Sequence, residues 1–430
     1  MNSFTSPVVP RGEPVGEANG RRTDVDVLVV GAGPAGSAAA YHLARHGVDV
    51  LCVDKARFPR EKVCGDGLSP RGVGALQSMG IDATEAGFTR VEGLRVYAPT
   101  VTLNLPWPKL SSLPDFGVVR TRHDLDHLML QHAQKAGATV WEGTDVEMPL
   151  TDQGWVAGAR VQREGEEPET IRAKYVLACD GASSRFAGKA GVKRDARRPL
   201  GVAARRYYRS PREPQSWFEA WFDVTENGVI LPGYGWIFPV SDGTLNVGAG
   251  LLNTTSLFKE VTPRKMLDLF ERSLPEEWGI REENAAGEVL SGPLPMGMNR
   301  APLAMPGMLV VGDAGGLINP FTGEGIAYAI ESAEIAAELV HGALATNRPG
   351  LAHIYPVELK RRYGKYFTVG RAFAKAIGHP TVMRYSVYHG FPRERLMRFA
   401  LRILANLTDG REGDLDDKIM DWIVRIAPAL

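Results

Sequence analysis

Net charge, cysteine and long apolar runs are what this 430-residue chain has little of. Fifty Lys and Arg balance fifty Asp and Glu. That leaves no overall cationic surplus to hold a phosphate backbone, so no nucleic-acid partner is expected. Three cysteines, an odd number, are too few for a disulfide framework and suit a reducing, cytoplasmic setting. Met1–Arg22 carries Pro, Gly, Ser and charge but no apolar signal-peptide core, so 1–23 reads as a disordered leader. The uncharged run Asn227–Ser241 is shorter than the roughly 20 residues of a bilayer span, and Pro232 and Pro239 interrupt it. No membrane crossing is expected. No G-x-S-x-G nucleophile elbow is present. His123-Asp124-Leu125-Asp126-His127 lacks the Glu of a zinc-binding H-E-x-x-H, so no metal is expected.

What is present reads as an α/β chain too long for one ordinary core. Val25–Val30 is a short apolar strand, Pro34–His46 an Ala-rich helix and Val48–Asp54 a second strand. Ser69, Pro70 and Gly80 bracket another helix with Ser69 as its expected N-cap. Thr121 and Asp124 open one that runs to Gly137. Strands return at Thr139–Glu142, Trp155–Gln162 and Ala173–Cys179. Beyond Pro199 aromatic, alternating segments take over, and Asp242-Gly243 between Tyr234–Val240 and Thr244–Ala249 is a hairpin signal. Met308–Val311 resumes the apolar-strand style and Ile326–Leu344 is a long helix. The expected organisation is a Rossmann-type nucleotide domain in two parts, 24–196 and 291–345, with an inserted β-rich domain over 197–290. A helical C-terminal region follows over 346–430.

Gly31-Ala32-Gly33-Pro34-Ala35-Gly36 is G-x-G-x-x-G between a strand and a helix. The first Gly permits the tight turn, the second lets a pyrophosphate approach the backbone, and the third allows close helix–strand packing. The helix start then offers free N–H groups and a favourable dipole to phosphate. Asp54 ends the second strand 18 residues past Gly36, placed to accept ribose hydroxyls, with Lys55 beside it. Far downstream, Gly312-Asp313 leaves a strand and is followed by Asn319-Pro320-Phe321-Thr322-Gly323-Glu324-Gly325-Ile326. An aspartate there can accept a ribityl hydroxyl, and the glycine loop exposes N–H groups that stabilise negative charge on a reduced isoalloxazine. A ribityl chain belongs to FAD, not NAD.

Together with Arg122-x-x-Leu125-Asp126 and Cys179-Asp180-Gly181-Ala182-Ser183-Ser184, these elements resemble, in order, the FAD motifs of aromatic-hydroxylase-like flavoproteins. The resemblance implies non-covalent FAD, with Arg122 against its phosphates or ribityl chain and Asp180 and Gly181 beside it. Phe58-Pro59-Arg60-Glu61-Lys62-Val63-Cys64-Gly65-Asp66-Gly67-Leu68 and Tyr234-Gly235-Trp236-Ile237-Phe238-Pro239 narrow it. Both resemble the geranylgeranyl reductase family, and within it the actinobacterial members acting on menaquinone. Flavin-dependent halogenases carry Trp-x-Trp-x-Ile-Pro at the second place, from which Tyr234 and Phe238 depart.

The resemblance implies reduction of an isoprene double bond in a polyprenyl lipid, with the Cys64–Gly65 loop over the flavin. Lys62 and Arg60 beside Cys64 are expected to depress its thiol pKa. Cys64, Tyr234 and Trp236 are the candidate catalytic residues; Cys64, a tyrosine or water could supply the proton. Trp217, Trp221, Tyr234, Trp236 and Phe238 are candidates to line an apolar tunnel, against the plainer reading of strand core. Other readings stay open: a geranylgeranyl lipid or diphosphate substrate, a monooxygenase acting on an aromatic or polyketide, or a non-catalytic electron carrier. The electron donor is expected to be NAD(P)H or a small redox protein. Between Val357 and Arg402 eleven Lys and Arg face two acidic residues, interleaved with aromatics. Such a span fits either peripheral contact with the inner face of the cell membrane or a solvated basic face.

Overall fold

The computed structural model describes residues 23–213 and 215–409, with 418, 419 and 422. The leader expected over 1–23 lies, up to Arg22, outside the described residues. The apolar strand read from Val25–Val30 is Asp24–Val30, central in a sheet of eight strands. Glu169–Ala178 flanks it on one side and Val50–Val53 on the other, both parallel to it. Thr139–Trp141 and Met308–Val310 extend the parallel set outwards. Strands buried on both faces need no alternation, which is why they read as continuous Val/Leu runs. Helix Pro34–Arg45 packs against helices Ile326–Thr346 and Arg122–Lys135. Its Ala35, Ala38, Ala39 and Ala40 are buried, and their small side chains let the neighbouring helices approach closely.

The second sheet has seven strands, ordered Leu290–Pro295, Leu200–Arg209, Thr244–Leu252, Gly233–Pro239, Trp217–Trp221, Gly93–Ala98 and Val101–Pro106. Asp242-Gly243 joins Gly233–Pro239 to Thr244–Leu252 as a hairpin. This sheet does not stop at the expected 197–290 boundary. The hairpin Gly93–Pro106, between two helices of the nucleotide domain, supplies its far edge by pairing Gly93–Tyr97 with Trp217–Trp221. The pairing is decided across more than a hundred residues of chain, so local sequence carries no trace of which sheet the hairpin joins. Helix Pro263–Ser273 covers one face of this sheet through Met266, Leu267 and Phe270. The C-terminal helices Lys365–Ile377, Pro380–Tyr385 and Glu394–Leu404 close over the other face, at its junction with the nucleotide domain.

Candidate active site

The glycine loop is built as its spacing demands. Gly31 has φ +98°, and a Cβ there would lie 2.5 Å from the Cys179 carbonyl oxygen. At Gly36 a Cβ would lie 1.7 Å from the Gly31 oxygen, so only hydrogen fits between helix and strand. A Cβ at Gly33 would meet nothing nearer than the Arg60 guanidinium at 3.5 Å, with Arg122 at 3.9 Å. Gly33 therefore faces space flanked by two cations. Asp54 Oδ2 accepts from the Ala32 N–H at 2.8 Å, which ties the end of the second strand to the loop.

Arg122 donates to Asp126 through Nε at 2.6 Å and Nη2 at 2.7 Å, and Arg60 reaches the same carboxylate at 3.0 Å. One helical turn thus turns the Arg122-x-x-Leu125-Asp126 motif into a clamp that holds two guanidiniums side by side. With Lys62 also on the cavity wall, three cations against Asp126 leave a surplus suited to a pyrophosphate. Arg60 Nη1 and Asp180 Oδ1 are buried without a hydrogen-bond partner, and both residues line the cavity. Buried polar atoms are rarely left unpaired in a finished site. A cationic cradle, an unpaired donor and an unpaired acceptor fit a dinucleotide. Asp313 sits further along the wall; burial raises its carboxyl pKa, against the pull of Arg122, Lys62 and Arg300.

These features line one cavity of about 820 Å³ that runs from the Gly31–Ala35 loop into the second sheet. Of the expected cofactor contacts, Gly31, Gly33, Pro34, Ala35, Asp54, Lys55, Cys64, Gly65, Arg122, Asp180, Gly181, Asp313, Gly323, Gly325 and Ile326 line it. Gly36, Gly312 and Pro320 do not. Gly36 and Gly312 are points of close packing, a Cβ at Gly312 falling 2.9 Å from that of Ala35. Pro320 packs against the Lys365–Ile377 helix at Gly370. Tyr234, Trp236 and Phe238 line the cavity, as expected of one face of a strand. Trp217 and Trp221 do not; Trp221 lies in the core beneath the sheet, against Phe270 and Tyr97.

The Cys64 loop is held from the second sheet. Asp66, fully buried with φ +64°, accepts from Tyr207 OH at 2.5 Å, Asn246 Nδ2 at 2.7 Å and the Arg122 N–H at 3.2 Å. Asn246 also donates to the Cys64 carbonyl at 2.9 Å and accepts from Trp236 Nε1 at 2.9 Å. Arg205, likewise buried, grips Glu61 and the Lys62 carbonyl. Burial pushes the Asp66 carboxyl up to about 6, opposed by those hydrogen bonds and by Arg205 and Arg122. Sequence reading passed over Asp66, Tyr207, Asn246 and Arg205. A polar Asn246 on the otherwise apolar strand Thr244–Leu252 was the available signal.

Two expectations are corrected. The Cys64 thiol is raised, not depressed: burial dominates, with Arg122 pulling the other way and Asp66 adding to the rise. Lys62 and Arg60 turn their charge to the cradle and Asp126 instead. Ser69 occupies the N-cap position as expected, but its side chain makes no capping hydrogen bond; its hydroxyl donates to Glu324 at 2.9 Å. That bond ties the glycine loop after Asp313 to the Pro70–Ser78 helix. Burial lifts the Glu324 carboxyl to about 7, with Ser69 and Arg71 opposing. Tyr234 donates to the Thr322 carbonyl of this loop at 2.7 Å.

Beyond Cys64 the wall turns apolar: Val96, Leu105, Phe222, Phe321, Phe373, Ile377, Met383, Phe391, Met397, Leu401 and Leu404, with no charged side chain among them. The inner faces of the C-terminal helices thus roof the cavity, a role that their basic composition did not announce.

The FAD binding domain family matches residues 24–344. Menaquinone reductase of Mycolicibacterium smegmatis is 35% identical over 94% of this chain and 95% of its own length. Digeranylgeranylglycerophospholipid reductase of Thermoplasma acidophilum is 31% identical over 79% of this chain and 84% of its own. The crystal structure of a geranylgeranyl bacteriochlorophyll reductase-like protein from the same archaeon superposes with a TM-score of 0.73. It is 26% identical and covers 89% of this chain and 100% of that one.

Proposed function

The chain belongs to the geranylgeranyl reductase family of FAD-binding flavoproteins, and we propose that it saturates an isoprene double bond in the side chain of menaquinone. One observation carries the reading: a single cavity has a cationic dinucleotide cradle at one end and an uncharged, aromatic-walled bay at the other, with Cys64 between. A polyprenyl tail is the ligand class that needs such a bay. The similarity to menaquinone reductase over nearly the whole chain supports the quinone over a geranylgeranyl glycerolipid or diphosphate.

Reduced FAD, when bound, would supply a hydride for one alkene carbon and be re-reduced by the electron donor, and the other carbon needs a proton. Gly33, Arg60 and Arg122 would hold its pyrophosphate, and Asp313 would accept from its ribityl chain. Phe222, Phe391 and Met397 exclude water from a bond that is a poor hydride acceptor. Of the three candidate catalytic residues, Tyr234 and Cys64 have an ionisable proton to give. Tyr234, lifted to about 12, has its hydroxyl committed to Thr322. Cys64, lifted by burial, keeps its proton on Sγ next to Arg122, which would stabilise the thiolate left behind. Cys64 Sγ is therefore our proton donor, and solvent restores its proton. Trp236 acts through Asn246 by holding the Cys64 loop. The chain has one strand-borne G-x-G-x-x-G, so the reductant, NAD(P)H or a small redox protein, docks without a second nucleotide domain. No helix among the described residues is long and apolar enough to cross a membrane. We further propose that the enzyme meets its lipid substrate at the inner face of the cell membrane.

Incubating reduced holoenzyme with menaquinone and weighing the product tests the reading. Addition of the mass of H₂ is the expected result. Addition of one oxygen atom would make the chain a monooxygenase, and turnover confined to geranylgeranyl lipids would move the substrate.

A further inference from the structure

The helices that roof the apolar bay have a second face. Inside, Met383, Ser386, Phe391 and Met397 line the cavity. Outside, between His379 and Arg398, four large apolar or aromatic side chains stand in solvent: Tyr385 is 65% exposed, Leu396 47%, Val382 41% and Tyr388 40%. Val229, also exposed, adjoins them on the short strand beneath the Pro380–Tyr385 helix. Elsewhere among the described residues the exposed large apolar side chains are Met148, Ile354, Val357, Ile419 and Trp422, so five gathered on one patch need a reason.

Charge accompanies it. Arg384, Arg393, Arg395 and Arg398 are exposed on the same stretch, with Glu394 the lone acidic residue, paired to Arg398 at 2.6 Å. Among the described residues Arg384, Arg393 and Arg395 have no acidic partner. The remaining titratable groups there are His379 and His389, with Glu226 on the adjoining strand already paired to Lys265. Apolar side chains ringed by unpaired arginines, with two tyrosines at the boundary, match the interface of an anionic bilayer. The match continues inward. Ser386, Phe391 and Phe222 are each partly exposed and line the cavity as well, so the apolar bay reaches the surface within this patch. Phe222 and Phe391 meet edge to face with centroids 5.0 Å apart.

From these observations, and resting on the prenyl-reductase reading, we propose that the outer face of residues 379–398 docks on an anionic lipid bilayer. The prenyl tail then passes from the bilayer into the bay between Phe222 and Phe391. A docked enzyme would draw the tail directly from the hydrocarbon, without exposing it to water.

Sedimentation of full-length, FAD-loaded enzyme with phosphatidylcholine vesicles, with and without about one third phosphatidylglycerol, tests this. Wild type should pellet with the anionic vesicles, less so at high salt. Arg384→Gln/Arg393→Gln/Arg395→Gln should weaken that binding on the order of 100-fold, at about fivefold for each arginine lost. Tyr385→Ser/Leu396→Ser should weaken partition to both vesicle types by roughly tenfold. Both variants should keep bound FAD and reduce a detergent-dispersed prenyl quinone like wild type, because none of these residues lines the cavity. Wild type that stays in the supernatant, or variants that pellet equally well, would overturn the docking face. A dimer dissolved by Tyr385→Ser/Leu396→Ser, with no vesicle binding, would overturn it in favour of a second copy of the chain. Vesicle binding as expected, without turnover of any dispersed prenyl substrate, would support the docking face and reject the reductase reading instead.

Discussion

The two ends of the cavity are built by opposite means. The cradle around Gly33 takes its parts from short contiguous motifs whose geometry is local: a glycine turn, an aspartate ending a strand, an Arg and Asp one helical turn apart. The apolar bay takes its walls from residues as far apart as Val96 and Leu404 in the chain, none of them special by itself. Recognition of a pyrophosphate needs particular donors at particular distances, so evolution has few ways to write it. Exclusion of water from a lipid tail needs only fit and apolarity, which many side chains can supply.

The contrast predicts that damage at one end spares the other. The largest effect should come from Gly36→Val: with its Cβ 1.7 Å from the Gly31 oxygen the loop cannot form, and purified protein should be colourless even with FAD supplied. A yellow Gly36→Val protein would break the assignment of the cradle. Next, Arg122→Met should weaken FAD binding by roughly 30–100-fold, read by flavin fluorescence titration. Arg122→Met/Asp126→Leu should recover part of the folding stability without recovering affinity, because no carboxylate is then left buried beside a missing cation, although Arg60 loses its partner. Recovery of both would reduce the arginine to a structural part.

At the junction, Cys64→Ala should lower kcat by about 10–100-fold, leaving the flavin spectrum and FAD affinity unchanged. An unaltered kcat would pass proton donation to Tyr234 or water. At the apolar end, Phe391→Ala should raise KM for the long-tailed substrate by about tenfold with little change in kcat or FAD affinity. A loss of FAD instead would show the two ends to be one cooperative unit.

The smallest effect concerns Glu324. Its carboxyl is raised in the folded protein, from 4.5 to about 7. The folded state therefore holds its proton more tightly than the unfolded one. That contribution to stability is complete below about pH 4.5 and is lost as pH rises to about 7. Relative to Glu324→Gln, wild type should lose on the order of 2–3 kcal/mol across that window in urea unfolding of the holoenzyme. A difference that stays constant with pH would mean that Glu324 is ionised throughout.

The nucleotide half was readable because its signals are local: strand limits at Asp24–Val30 and the helices at Pro34 and Arg122 fall within a residue or two of expectation. The rest was hidden in long-range partnership. Ser69 looked like a cap because nothing near it in the chain reveals Glu324, 255 residues away. Cys64 looked activated because its neighbours in sequence are cations, whereas Asp126 and the cradle claim Arg60 and enclosure governs the thiol. Tyr234 and Trp221 looked alike until the sheet put one on the cavity and the other in the core below.

By itself the sequence determined which chemistry is held here, since a phosphate cradle is written in bond-length distances along a few consecutive residues. Only the tertiary structure decided where the chemistry is aimed. It recruited the Gly93–Pro106 hairpin into the second sheet, pinned Cys64 through Asp66 and Asn246, and turned a basic, aromatic tail into the roof of the bay. Those contacts join segments whose separation in the chain bears no relation to their distance in space, so no local pattern can encode them.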